Sequence, residues 1–161
     1  MTIMEYLMEQ YKSNHGAVRR ALDDIGDRES LEQGGHDINH IRWNAAHIAS
    51  AAGLMLRIMG GKEDLPENWH TLFARGAEFH EDPSVYPSMD VIRDRLYDTY
   101  ERMYSALEKM TVDDLETEKE ILPEWNASPA KALLFLCRHE FYHLGQIATL
   151  RKMLGKERLC G

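Results

Sequence analysis

Apolar residues recur along this chain at helical rather than strand spacing, in four long stretches. In the first, from about Thr2 to Asp24, one side carries Met4, Leu7, Met8, Tyr11, His15, Val18, Ala21 and Leu22, and Ile25 continues the row to a stop at Gly26. The second runs from about Asn39 to Met59 and ends at Gly60-Gly61, a C-cap signal. The third, about Met89 to Met110, follows Ser88 as N-cap and has Asp90 in its first turn, where the helix dipole favours a carboxylate. The fourth begins at Ser128-Pro129, a capping hydroxyl followed by proline at the first helical position, and continues to about Leu154 before Gly155.

The intervening segments are connections. Asp27–Asp37 is polar and contains Gly34-Gly35. Gly60–Pro87 holds Pro66, Pro83 and Pro87, with a short helical piece around Trp69, Leu72 and Phe73, and is too long for a simple turn. Thr111–Ala127 contains a short helix at Val112–Glu116, and no segment alternates long enough to predict a strand. Four amphipathic helices with two longer crossover connections predict an all-α, four-helix bundle. A length of 161 residues corresponds to a single domain over 1–161.

Composition narrows the function classes. A net charge of −8 disfavours nucleic acid as a partner, because non-specific binding needs a basic surface. No apolar run approaches the ~18 residues that span a bilayer, and the N-terminus has no basic region followed by an apolar one, so no membrane partner is expected. Cys137 and Cys160 form no disulfide framework and read as reduced thiols of a cytoplasmic protein.

The candidate chemistry lies in His139-Glu140-Phe141-Tyr142-His143. Four helical steps bring the second imidazole to within about 40° of the first, one turn along, so the pair can share a metal ion. With Leu136 set at zero, His143 falls near −20°, His139 near −60° and Glu140 near 40°, all on or beside the stripe of Ile147, Leu150 and Leu154. One inward histidine is ordinarily a packing residue. Two side by side give an apolar stripe little reason to desolvate them, and favour metal.

The letters also spell the H-E-x-x-H of zinc proteases, whose third ligand lies downstream. No histidine follows His143, Gln146 and Thr149 stand where the extended motif needs glycine and histidine, and Glu157 lies beyond Gly155. The favoured third ligand is upstream: His47, in a second apolar row of helix two with His40, Ala51, Leu54 and Ile58. His40 competes for the role but lies about 10.5 Å from His47 along the helix, too far for both to hold one ion.

At these residues the chain resembles the DinB family, the DinB/YfiT-like metalloenzymes. The likeness rests on Trp43-x-x-x-His47-Ile48 in helix two and on Ser128-Pro129 through Ile147 in helix four. Within the latter it includes Leu133, Leu136, His139, Glu140, His143, Gly145, Gln146 and Ile147. The resemblance covers nearly the whole chain. It implies a divalent metal, zinc or nickel, on His47, His139 and His143, a homodimer, and a small-molecule substrate. The implied reaction is thiol-dependent, with a metal-activated low-molecular-weight thiol attacking an electrophile in a transferase or isomerase reaction. A metal held by three neutral histidines keeps its full charge and lowers the pKa of a bound water or thiol, so hydrolysis is the alternative, and a non-enzymatic binding protein the third reading. For Glu140 three roles stand open: general base, orienting partner of a histidine, or ion-pair partner of Arg138 or Arg151. Gly145 is expected to admit close helix approach, Gln146 to pack beside the ligands, and the exposed Phe141 and Tyr142 to serve a dimer contact.

Overall fold

In the computed structural model, which describes residues 1–35 and 38–159, polar side chains start the long helices close to where the sequence places them. Helix α1 (Ile3–Leu22) opens with a capping box: Thr2 accepts from the Glu5 N–H, and the Glu5 carboxylate accepts from the Thr2 N–H. Helix α2 (Ile41–Ile58) is capped by His40, whose Nδ1 accepts from the Trp43 N–H at 3.0 Å. A four-residue α3 (Trp69–Leu72) sits within the long connection, and α4 (Met89–Leu107) starts at Ser88, which accepts from the Val91 N–H. The short α5 (Val112–Glu116) has its own capping box from Thr111 and Asp114. Helix α6 (Pro129–Met153) begins on Ser128 with proline in its first turn. The expected fate of Cys160 falls outside the described residues.

One expectation is corrected. The connection before α6 contains strands β1 (Lys119–Leu122) and β2 (Trp125–Ala127), paired antiparallel with Leu122 opposite Trp125. Four and three residues are too few for alternation to stand out, and most of these side chains are exposed. The turn forces Glu124 to φ 67°, a region that L-residues other than asparagine and aspartate seldom enter. Ile121 and Trp125 pack onto the core and hold the hairpin against the bundle.

Helix α2 packs against α4 and α6, and α1 against α6 and α4. The successive pairs α1/α2 and α4/α6 therefore lie across diagonals of the bundle. The longest connection, between α2 and α4, links neighbours and is free to fold over a face. Two buried arginines fasten the first crossover. Arg151 of α6 holds Asp24 and the Ala21 carbonyl, and Arg42 of α2 holds Asp27 and Ser30. The core between the helices includes the fully buried Leu7, Tyr11, Leu22, Ile48, Met55, Ile92 and Tyr100. Each large apolar side chain removed from water here contributes about 1.5–3 kcal/mol before entropy is counted. Among the described residues no helix is long and apolar enough to cross a membrane.

Candidate metal centre

The packing of α2 against α6 brings His47, His139 and His143 together, with one ring nitrogen of each within 4.8 Å of the others. The Nε2 of His139 lies 3.3 Å from that of His47 and 3.2 Å from that of His143. Ligands of a tetrahedral ion with metal–nitrogen bonds of 2.0–2.1 Å stand about 3.3 Å apart, so these two edges have the spacing a zinc-like ion requires.

Hydrogen bonds on the opposite ring edges settle two of the three tautomers. His47 Nδ1 lies 2.6 Å from the Phe73 carbonyl, which can only accept, so Nδ1 carries the proton and Nε2 a lone pair. His143 Nδ1 lies 2.9 Å from Asn44 Oδ1. The Asn44 amide is fixed in that sense because its nitrogen donates to the carbonyls of Asn39 and His40, at 3.0 and 3.1 Å. Two lone pairs thus aim at His139, whose single proton on Nε2 could satisfy only one of them. His139 Nδ1 is buried without a partner. A cation is the group that satisfies all three Nε2 atoms at once.

Electrostatics agree. Burial pushes the His143 imidazole down to about 3, with the neighbouring His47 and His139 adding to the effect. Burial also lowers His47, against the opposing pull of the Phe73 carbonyl, and lowers His139, helped by His47. All three are neutral near pH 7, the form that ligates. The Trp43 indole stacks on His47 with 4.8 Å between centroids and 9° between planes, fixing the ring from the side.

Glu140 takes none of the roles left open by the sequence. One residue from His139 turns the helix by about 100°, and that rotation aims the carboxyl at α1 and α4 instead of α2. It is fully buried, accepts from the Tyr100 hydroxyl at 3.3 Å, and has its other oxygen 3.7 Å from His15 Nε2. Burial holds its pKa up at about 8 and pushes His15 down to about 3, so both are neutral at pH 7. His15 stacks on Tyr100 at 3.4 Å and shares a hydrogen bond with the Tyr104 hydroxyl. This second polar cluster was not foreseen; the available signal was His15 itself, an imidazole on the apolar row of the first helix. His40 is spent on its cap and does not join the cluster, Glu157 is exposed and apart from it, and Gly145 faces open space instead of another helix.

The imidazoles open into a cleft of about 790 Å³. Trp43, Leu54, Leu122, Trp125, Phe135 and Tyr142 supply apolar walls, and Asn39, Arg75 and Gln146 polar ones. Arg75 comes from the α2–α4 connection, while Leu122 and Trp125 come from the unforeseen hairpin. A groove of similar size, about 830 Å³, lies between α1 and the end of α4 and is lined by Met4, Met8 and Met110 among others, with no imidazole or thiol among the described residues.

A four-helix bundle here converges three neutral imidazoles on a largely apolar cleft, a donor set that could hold one divalent cation. The DinB superfamily profile matches residues 5–147, and the chain belongs to that family. Two solved structures share the fold. A conserved protein from Enterococcus faecalis aligns with a TM-score of 0.72 at 17% identity, over 97% of this chain and 99% of its own. YfiT from Bacillus subtilis, described as a probable metal-dependent hydrolase with an unusual four-helix bundle topology, aligns at 0.66 and 13% identity, over 96% and 89%. At these identities the likeness is one of fold. No curated protein matches the sequence.

Proposed function

We propose that this chain is a metal-dependent enzyme. In this reading His47, His139 and His143 hold one divalent cation, zinc or nickel, and the reaction transfers a low-molecular-weight thiol to, or uses one to isomerise, a small electrophilic substrate. The observation that carries the choice is the scarcity of acid–base partners in the cleft, where among the described residues Tyr142 is the one candidate besides the histidines and Arg75. No carboxylate lines the cleft among the described residues, and its only histidines are the three that converge. Hydrolysis needs a proton delivered to the leaving group, whereas a thiol, with a pKa near 8.5, needs only to be ionised. A cation on three neutral imidazoles acts as a Lewis acid that ionises such a thiol at neutral pH. The chain's own residues orient the imidazoles through Phe73 and Asn44 and shield the site with Trp43, Trp125 and Phe135. Metal-dependent hydrolysis is the second reading, favoured by the description of YfiT.

The test begins with elemental analysis of tag-free protein and of His47→Ala, His139→Ala and His143→Ala. About one equivalent of metal, lost in each variant while helical circular dichroism persists, supports the site. Conjugation of a chromogenic electrophile only when both metal and a small thiol are present favours transfer; ester turnover with metal alone favours hydrolysis. Wild type that cannot be loaded refutes both. A homodimer belongs to the same proposal, with Phe141 and Tyr142, 61% and 63% exposed, as its contact. Sedimentation showing a monomer at micromolar concentration refutes that part. A free thiol cosubstrate implies a reducing compartment, which fits a cytoplasmic location.

A further inference from the structure

The one fixed charge among the described residues lining the cleft is opposite in sign to the chain's own net charge. The protein carries a net −8, yet apart from the three histidines and Tyr142 the only titratable side chain among the described residues lining the cleft is Arg75. Its placement is built into the backbone. Ala74–Ala77 is a tight turn closed by the Ala77 N–H donating to the Ala74 carbonyl at 3.0 Å, with Gly76 at φ +75° in its third position, where glycine is at home. Arg75 is the second residue of that turn. The turn follows directly on Phe73, whose carbonyl holds His47, so one short segment orients an imidazole and presents a guanidinium. Arg57, Arg95 and Arg102 each hold a carboxylate, from Glu63, Asp64 and Asp98, whereas Arg75 forms no ion pair among the described residues.

An exposed arginine on a surface needs no partner. One that supplies the only fixed charge among the described residues lining a largely apolar cleft favours an anionic ligand there. We infer that Arg75 recognises an anion, and that the ligands of this cleft are small molecules with an apolar body and a carboxylate separate from the group that meets the histidines. A planar carboxylate matches the guanidinium fork, and aromatic and aliphatic walls fit the body between. The inference rests on the metal reading above, since it takes the histidine cluster as the site that meets the ligand's other group.

The experiment uses the full chain loaded with cobalt(II) and two series of probes of graded length, ω-mercaptoalkanoates and the matching ω-mercaptoalkanamides. Thiolate-to-cobalt charge-transfer absorption reports that the head group is on the metal, and calorimetry gives the affinities. At the best chain length the acid should bind about tenfold more tightly than the amide, the worth of a charge-assisted hydrogen bond. Arg75→Gln should bring that ratio close to one, chiefly by weakening the acid. Arg75→Glu should prefer ω-aminoalkanethiols, whose tail is an ammonium. Equal binding of acid and amide to the wild type at every length, or a preference that survives Arg75→Gln, overturns the inference and leaves the metal site standing. Failure of the protein to take up cobalt overturns the metal reading, and cobalt bound without a charge-transfer band for any thiol overturns the thiol reading; either result overturns this inference with it. The failures are distinct, because cobalt uptake reads the metal, the charge-transfer band reads the thiol and the acid-to-amide ratio reads Arg75.

Discussion

Asn44 offers the sharpest quantitative test of the metal centre, because it touches no substrate and is fully buried. Its side-chain oxygen is the acceptor that fixes the His143 proton on Nδ1, and its nitrogen holds two carbonyls at the start of α2. In Asn44→Ala the His143 Nδ1–H loses its acceptor in a buried setting, and nothing then selects the tautomer that presents Nε2. Outer partners of a ligating histidine are typically worth 10–100-fold in metal affinity. At about 1.4 kcal/mol per factor of ten, that is roughly 1.4–2.8 kcal/mol. The cost of leaving one buried donor unsatisfied, about 1–3 kcal/mol, falls separately on the metal-free fold. Competition of the loaded protein against a chromophoric chelator should show zinc held 10–100-fold more weakly in the variant, and urea unfolding of metal-free protein should show a loss of about 1–3 kcal/mol. His143→Ala should weaken the metal further, because it removes a ligand outright. Affinity unchanged in a folded Asn44→Ala protein would refute the argument: either His143 ligates through its other nitrogen, or it does not ligate.

Three further outcomes are expected. Glu140 is protonated in the fold at pH 7, so Glu140→Gln should change stability by less than about 1 kcal/mol and leave metal content and turnover at wild-type levels; a hundredfold fall in turnover would restore the base role. His15 has a folded pKa of about 3 against 6.5 unfolded, so the unfolded state binds more protons in between and stability must fall as the pH drops through that window. Between pH 7 and 4 this one group accounts for roughly 3 kcal/mol, and His15→Phe, which keeps a ring to stack on Tyr100, should show a correspondingly shallower loss in pH-dependent urea melts; identical slopes would refute it. Glu124→Gly relieves a side chain held at positive φ and should stabilise by about 0.5–1 kcal/mol after the entropy of glycine is subtracted, a rise in Tm of about 1–4 °C by calorimetry.

The parts that a period can carry were legible in the sequence. Helical spacing with caps at Ser88 and Ser128 located the long helices, and the 100° rule placed His139 and His143 beside the apolar stripe of α6. The second row of α2 nominated His47, and the structure brings it to the same point as the other two. Direction within the core was not legible. Glu140 and His143 both read as inward, but inward toward α2 and inward toward α1 and α4 differ only in which neighbour waits there, and that depends on the diagonal crossovers. Nor was the rest of the cleft. Trp125 arrives on a hairpin whose two strands hold seven residues, and Arg75 on a turn whose path is set by one backbone hydrogen bond and one glycine.

The two anchored imidazoles differ in what anchors them, and the difference governs how each half of the centre tolerates change. His143 depends on a side chain, so position 44 must remain asparagine or a residue offering the same acceptor. His47 depends on a peptide carbonyl, which every amino acid possesses. The histidine is blind to the identity of residue 73 and sensitive only to where the chain passes. The segment that carries Arg75 can therefore exchange its side chains, and with them the preferences of the cleft, while the imidazole beneath it stays aimed.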